Sequence, residues 1–376
     1  MKNSCLLLMI ALLSLPLSAE TLRVIDCPGT PYKRGLAHGQ QLRLEIVQMI
    51  DRWKKEINNQ FQVPFEDVID FLITRTHYEA QMNKWTPELI EEIQGIAHGS
   101  GLDYKTVFAL QISEEIGNRA SLVLNQRCTS IGQIPLPGKA AMVAQNMDPP
   151  LFLHGFPTLL RINDPETGLK QMIFTFPGFL GLNGLNDRGI AICCNGLSQL
   201  NSSDSGLPVV AVMRSVLNQN SLHNVRAWLE QIPHATPQCY LVGDPAGIEC
   251  LECSANGLAK VPLWNNRHYV FHTNHPLVNR DFNARYIKLL AEYEKSIDDP
   301  YYCPRYEYLR QTLASQAVSL TDSLVLDLLS KREPEYHPVN NELTFGCTLV
   351  ILTESPTLWI APGRPDVTSF QKMRFE

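Results

Sequence analysis

The sequence predicts an α+β protein built from stacked helical and sheet layers. Three observations carry this. The first hundred residues after the leader repeat apolar side chains at helical spacing. From Cys128 onward the chain turns to short β-prone runs punctuated by Gly, Pro, Asn and Asp. Strands then come in runs and helices in runs, the pattern of layered α and β elements.

Thr21 to Ile25 is expected as a short strand, with Leu22 and Val24 alternating with polar residues, and Gly29-Thr30-Pro31-Tyr32 as a turn. From Lys33 to Phe61 the residues Leu42, Ile46, Met49, Ile50 and Trp53 recur at three and four, so the stretch is helical, and Phe65 to Phe71 continues it. Thr86-Pro87 starts another helix whose inner face is Leu89, Ile93 and Ile96 and which Gly99-Ser100-Gly101 ends. Tyr104 to Ile116 is a further helix.

Cys128 to Ile134 and Ala140 to Met147 flank the turn Pro135-Leu-Pro-Gly-Lys139 and form a β-hairpin. With the turn centred at Pro137, Cys128 stands opposite Asn146, and residues 146 and 148 share its face. A thiol, an amide and a carboxylate then meet at one hairpin end. Leu159–Ile162, Gln171–Phe176 and Ile190–Cys194 are strands, the last following the turn Asn186-Asp-Arg-Gly189 and ending at Asn195. Val209–Asn218 and His223–Gln231 are helical; a hairpin surrounds Gly243-Asp-Pro245; His268–Thr273 is a strand running into Asn274-His275. Ala284–Tyr293, Tyr306–Gln316 and Ser319–Leu329 are helices, Gly346–Thr353 and Thr357–Ala361 a hairpin, and Phe370–Phe375 a terminal strand.

The chain has 376 residues, 44% hydrophobic and 19% charged, enough for one large core or two domains, with no repeat or linker to divide it. Residues 20–376 are expected as one domain. A net charge of −6 without a block of like charges excludes a nucleic-acid binder of the basic-patch kind. Met1 to Ala19 has the form of a secretory signal peptide: Lys2, an apolar stretch from Cys5 to Leu15, Pro16, then Leu17-Ser18-Ala19 at the cleavage point. No later stretch reaches the roughly 18 apolar residues of a membrane span. The mature protein is therefore expected to be exported, periplasmic or secreted.

Ten cysteines less Cys5 leave nine, an odd number, so in an oxidising compartment at least one stays unpaired. Cys239, Cys250 and Cys253 flank the Gly243 hairpin and suit one cross-hairpin disulfide. Cys250 and Cys253 have C-x-x-C spacing, but without a second pair or a suitably placed His they make no zinc site. No metal or cofactor is expected.

A thiol needs a base before it attacks a carbonyl. No His lies near Cys128 in sequence. The cysteine's own α-amine would serve, titrating at about 7.7–8.0, but exists only if the Arg127–Cys128 bond is cut. Asp148 would orient that amine. The structural alternative is a buried strand cysteine. His272 and His275 with Asn274 offer a third arrangement, a papain-like Cys-His pair that needs no cleavage, although such a cysteine usually opens a helix rather than a strand.

Four pieces in order carry a resemblance: Gly29-Thr-Pro-Tyr-Lys-Arg-Gly-Leu-Ala-His-Gly39, Glu91-Glu-Ile-Gln-Gly-Ile-Ala-His-Gly99, Arg127-Cys-Thr-Ser with Gln145-Asn-Met-Asp148, and His272-Thr-Asn-His275. Together they resemble the acyl-coenzyme A:6-aminopenicillanate acyltransferase family of Ntn hydrolases. The resemblance implies a four-layer αββα sandwich made as a proenzyme that cuts itself between Arg127 and Cys128, the two chains staying associated. It implies Cys128 as nucleophile, Asp148 beside its amine, Asn195 and Asn274 as active-site asparagines, and Arg305 as a brace. The chain departs from the family pattern at Arg127, where Gly is frequent, at Met147, where an aromatic stands, and at Tyr302, where the serine of a Ser-x-x-Arg motif would be.

The expected activity is that of an exported amidohydrolase or acyltransferase acting on a linear amide of a small acylated amine through an acyl-cysteine. Coenzyme A thioesters are cytoplasmic, so export favours hydrolysis. The expected partners are a small amide substrate and the chain's own N-terminal piece. A non-catalytic exported binding protein with the same fold is the alternative from another class.

Overall fold

The computed structural model describes residues 21–120, 128–296, 303–315 and 319–376. The signal-peptide reading and Arg127 therefore lie outside the described residues. In chain order the first elements are β1 (Arg23–Pro28), α1 (Pro31–Gln41), α2 (Arg43–Phe61), α3 (Phe65–Arg75), α4 (Tyr78–Trp85), α5 (Pro87–Ser100), α6 (Tyr104–Gln111) and α7 (Ser113–Ala120). After Cys128 come β2 (Thr129–Gln133), β3 (Ala141–Met147), β4 (Thr158–Asn163), β5 (Lys170–Thr175), β6 (Asn183–Asn186), β7 (Ala191–Gly196), α8 (Val209–Val216), α9 (Leu222–Gln231), β8 (Gln238–Asp244), β9 (Gly247–Cys253) and β10 (Leu258–Val261). β11 (Tyr269–His272), α10 (Ala284–Glu292), α11 (Pro304–Ala314), α12 (Asp322–Leu329), β12 (Gly346–Leu352), β13 (Thr357–Ala361) and β14 (Gln371–Met373) complete the chain.

The strands form two sheets. One runs β1-β4-β5-β6-β7-β8-β9-β10, the other β11-β2-β3-β12-β13-β14. Among the strands of the described residues only β1 pairs in parallel, with β4; every other strand pairing is antiparallel. The sheets stack face to face, β2 and β3 lying on β7, β8 and β9. Helices α8 and α9 cover the far side of the first sheet, and α11 and α12 cover the second. The αββα order of the layers is thus read directly from the chain's own packing. A large apolar cluster fills the space around the first sheet and the N-terminal helices. A smaller one, including Ile131, Leu309, Leu328 and Leu349, lies beneath α11 and α12.

Several boundaries differ from expectation for local reasons. The long helical pattern from Lys33 divides at Leu42, whose φ of −117° and ψ of 23° break the helix. Pro31, expected in a turn, opens α1, its missing N–H costing nothing there. Tyr104–Ile116 divides at Ile112. Helix α4 and the short strands β6 and β10 were not expected.

Helices α1 and α5 approach at backbone distance. A Cβ on Gly35 would lie 2.0 Å from the Glu92 carbonyl oxygen, and one on Gly95 would lie 2.2 Å from that of Tyr32. One turn on, Gly39 and Gly99 repeat the arrangement against Ile96 and Leu36. The matched Gly-x-Ala-His-Gly runs of the two helices therefore interlock, which explains both sequence pieces by packing. Beside this contact Glu92 is buried between Arg34 (2.6 Å) and Arg214 (2.7 Å), so α1, α5 and α8 are tied by a charge cluster with its carboxylate paired on both sides.

Candidate active site

The β2–β3 hairpin is closed by a tight turn at Pro137-Gly138, with Leu136 and Lys139 exchanging backbone hydrogen bonds and Gly138 at φ +75°. The register that follows pairs Thr129 with Asn146 and Ser130 with Gln145. This is one residue off the expected register, and a slip of one turns every side chain over. Asn146 is therefore not beside Cys128. It faces away from the other sheet and donates to the carbonyls of Leu329 and Val339 at 2.7 and 3.0 Å. The same register sets Met147 opposite Cys128, and Gln145, opposite Ser130, shares the Cys128 face with it.

That face points between the sheets. A Cβ on Gly132 would meet Ile248 at 2.8 Å and Leu241 at 2.9 Å, both on the opposing sheet. Alternation puts Ser130 and Cys128 on the same side. The Cys128 thiol is half-buried at the end of β2. Burial, then the nearby Asp148 carboxylate, push it up to about 12, while the Asp148 backbone N–H and Arg305 pull weakly the other way. Asp148 follows β3 and is itself buried, its Oδ2 accepting from Asn341 Nδ2.

Asn195 and Asn274 come from opposite sheets to the same end. Asn195 is wholly buried in β7. Gln145 Nε2 donates to its Oδ1 at 3.2 Å and to the Cys194 carbonyl, and the Asn195 Nδ2 has no hydrogen-bond partner. A buried amide donor without a partner is costly unless something occupies its position. Asn274 follows β11 and donates through Nδ2 to the Gly196 carbonyl at 3.1 Å, which joins the two sheets beside Asn195.

Arg305 sits in the first turn of α11, 2% exposed. Its Nη1 donates to the Cys128 carbonyl at 2.5 Å and to Thr129 Oγ1 at 2.9 Å, and its Nη2 to Asn274 Oδ1 at 3.0 Å. One guanidinium thus ties the backbone of Cys128 to the side chain of Asn274. Of the residues singled out in the sequence, Cys128, Asp148, Asn195, Asn274 and Arg305 all gather at this end of the sandwich.

The two histidines are engaged elsewhere. His272 contacts Glu252 Oε1 at 2.8 Å through Nε2 and the Thr273 carbonyl at 2.7 Å through Nδ1. Burial alone would depress this imidazole, but the hydrogen bond and charge of Glu252 outweigh it and lift it to about 9. Glu252 also accepts the backbone N–H groups of Leu277, Val278 and Asn279 and so fixes the loop after Asn274. His275 Nδ1 contacts Thr273 Oγ1 at 3.0 Å. Neither forms the Cys-His pair of a papain-like site.

Sequence reasoning missed four contributors. Gln145 and Asn341 act across 50 and 193 residues of separation. Glu114, half-buried, and Glu115, fully buried, are carboxylates on α7 held above the usual range by desolvation, Glu115 at about 7, and the Glu114 charge acts on the Cys128 thiol. The acidic pair Glu114-Glu115, set between the buried Ile112 and Ile116, was the available signal. Among the described residues no cluster of three or more His, Cys, Asp or Glu could hold a metal, and no helix is long and apolar enough to cross a membrane.

Comparison with known proteins agrees with the motif resemblance. The family model of acyl-coenzyme A:6-aminopenicillanic acid acyl-transferase matches residues 137–298. Protein dcd1A of Dictyostelium discoideum is 28% identical over 221 residues, 52% of this chain; the chain spans about half of that relative, 49%. The 40 kDa form of acyl-coenzyme A:6-aminopenicillanic-acid-acyltransferase from Emericella nidulans is 26% identical over 270 residues, 71% of this chain and 73% of that one. Solved structures with some likeness include penicillin V acylase from Agrobacterium tumefaciens (12% identity, TM-score 0.40, 66% of this chain and 86% of that one). A mutant of conjugated bile acid hydrolase from Clostridium perfringens is a second (13%, TM-score 0.36, 66% and 97%). These superpositions are too loose to carry an argument, and the fold rests on the sheets and layers described above.

Proposed function

From a chain that is a relative of the acyl-coenzyme A:6-aminopenicillanic acid acyl-transferases, a family of amide hydrolases and acyltransferases, we propose an exported amidohydrolase whose nucleophile is the N-terminal Cys128 of a self-cut proenzyme. The observation that carries the reading is the convergence of Cys128, Asp148, Asn195 and Asn274, with Arg305 bonded to both Cys128 and Asn274.

In the uncut chain the thiol is held far up the scale and no amine stands beside it. Cutting before Cys128 supplies an α-amine that titrates near neutrality, and Asp148 is placed to hold its ammonium form. The amine takes the thiol proton and Sγ attacks the amide carbonyl carbon. Asn195 Nδ2 is the buried donor on offer for the oxyanion, a contribution of roughly 3–4 kcal/mol in enzymes where one donor is removed. The C–N bond breaks as the ammonium proton passes to the leaving amine. Water then attacks the thioester, releasing the acid and restoring the thiol.

Export enters through the leader sequence and makes water the favoured acceptor over transfer from a coenzyme A thioester. Acyl-amino compounds, penicillin-like amides and acyl-homoserine lactones are the candidate substrate classes. The test is turnover of a panel of these amides by wild type and Cys128→Ala, with trapping of an acyl-enzyme on Cys128. Turnover that survives Cys128→Ala would overturn the proposal.

A further inference from the structure

The sulfurs of Cys239 and Cys250 lie 3.2 Å apart, buried between adjacent strands of the central hairpin β8–β9. Register explains the approach. Cys239 pairs with Glu252 and Leu241 with Cys250, so the two cysteines are diagonal neighbours on one face of the hairpin. The face is the inner one: Glu252, opposite Cys239, reaches across to His272 of the other sheet, and Asn195 pairs directly with Cys239 on the other side.

We propose that Cys239 and Cys250 are a disulfide-forming pair, a covalent staple set directly beside the strand position of Asn195. The inference does not rest on the reading of Cys128 as nucleophile. The free thiols need to close by little more than 1 Å to reach the bonded S–S distance of about 2.05 Å. The C-x-x-C spacing of Cys250 and Cys253 does not compete. Residues three apart in one strand point to opposite faces, and Cys253 faces its own Leu251 carbonyl region at 3.8 Å. Cys193, on the same face and electrostatically coupled to both partners, is the nearest rival.

Closure needs a two-electron oxidant, and a disulfide of the glutathione class supplies it. One cysteine thiolate attacks oxidised glutathione and releases one glutathione thiolate. The second cysteine thiolate attacks the mixed disulfide and releases the other. The two protons lost by the cysteines end on the two glutathione thiols, so Cys239 and Cys250 are oxidised as one glutathione disulfide is reduced. The new bond ties β8 to β9 behind Glu252, whose carboxylate fixes the loop that carries Asn274 onward.

The reduced chain is equilibrated with a mixture of oxidised and reduced glutathione, both as the folded protein and by refolding from denaturant. Each sample is quenched in acid, alkylated in denaturant and mapped by mass spectrometry. The expected result is a Cys239–Cys250 linked peptide, two hydrogens lighter than its parts, and seven alkylated thiols among the nine from Cys27 onward. Addition of reductant should lower the melting temperature of this oxidised wild type and leave that of Cys239→Ala unmoved. Nine alkylated thiols in both samples, or a Cys193–Cys250 link in place of the expected one, would overturn the proposal.

Discussion

Gln145 Nε2 donates to Asn195 Oδ1 at 3.2 Å, and that bond fixes which way the Asn195 amide faces. With its oxygen held by Gln145, the Asn195 NH2 group is the part left to offer elsewhere, and it is buried without a partner. Gln145→Glu reverses the demand, because a carboxylate would accept from that NH2 instead. We expect kcat to fall by roughly 10²–10³-fold, the loss seen when an oxyanion donor is removed, with KM little changed. Gln145→Leu, which frees the amide rather than reversing it, should lose less. Steady-state kinetics on an amide substrate, with thermal melting to confirm folding, checks both.

Arg305 is a buried cation with one hand on the Cys128 carbonyl and the other on Asn274. Removing it in Arg305→Met leaves those acceptors without their charge-assisted donor, at about 1–3 kcal/mol of stability. It also unfastens Asn274 from the Cys128 backbone. Arg305→Lys keeps the charge but not the two-armed donor, so its stability should recover more than its turnover. Urea unfolding beside turnover separates the two effects; equal recovery of both would remove Arg305 as a geometric brace.

His272 gives a pH signature of stability. Its folded value of about 9 stands above the ordinary 6.5 because Glu252 outweighs burial. A raised value means the stabilisation is fully present below pH 6.5 and is lost as pH rises through about 9. The amount is on the order of 1–3 kcal/mol. Urea midpoints should therefore drop across that window in wild type and stay flatter in His272→Gln.

How much of this site the sequence discloses depends on the range of each contact. Cys128 and Asp148 stand at strand ends of one hairpin and were brought together by the hairpin reading, whereas Asn195, Asn274 and Arg305 were singled out only by the motif resemblance. The register was not legible. Placing the turn at Pro137 instead of between Pro137 and Gly138 shifted the pairing by one, which put Asn146 opposite Cys128 where Met147 belongs and hid Gln145 on the wrong face. Gln145, Asn341 and Glu252 owe their roles to partners from other strands and loops, and no local periodicity reports such pairings. The split at Leu42 was hidden because the apolar spacing continues through it.

The helix contact of α1 with α5 allows no side chain. Gly95→Ala would place a Cβ 2.2 Å from the Tyr32 carbonyl oxygen, a backbone atom that cannot rotate away. We expect a loss of at least about 1–3 kcal/mol, the usual result of overpacking, in contrast to the gain Ala normally gives in a helix. Differential scanning calorimetry of Gly95→Ala beside the exposed Gly117→Ala measures it, since a Cβ on Gly117 meets nothing within 4 Å.

The measurement that goes most directly to the central claim is intact mass of the purified protein under denaturing, reducing conditions, wild type beside Cys128→Ala. The account predicts two wild-type chains, the larger running from Cys128 to Glu376, and a single uncut chain with no turnover for Cys128→Ala. A wild type that hydrolyses amides as one uncut chain would contradict it, because Cys128 would then have no α-amine to serve as its base.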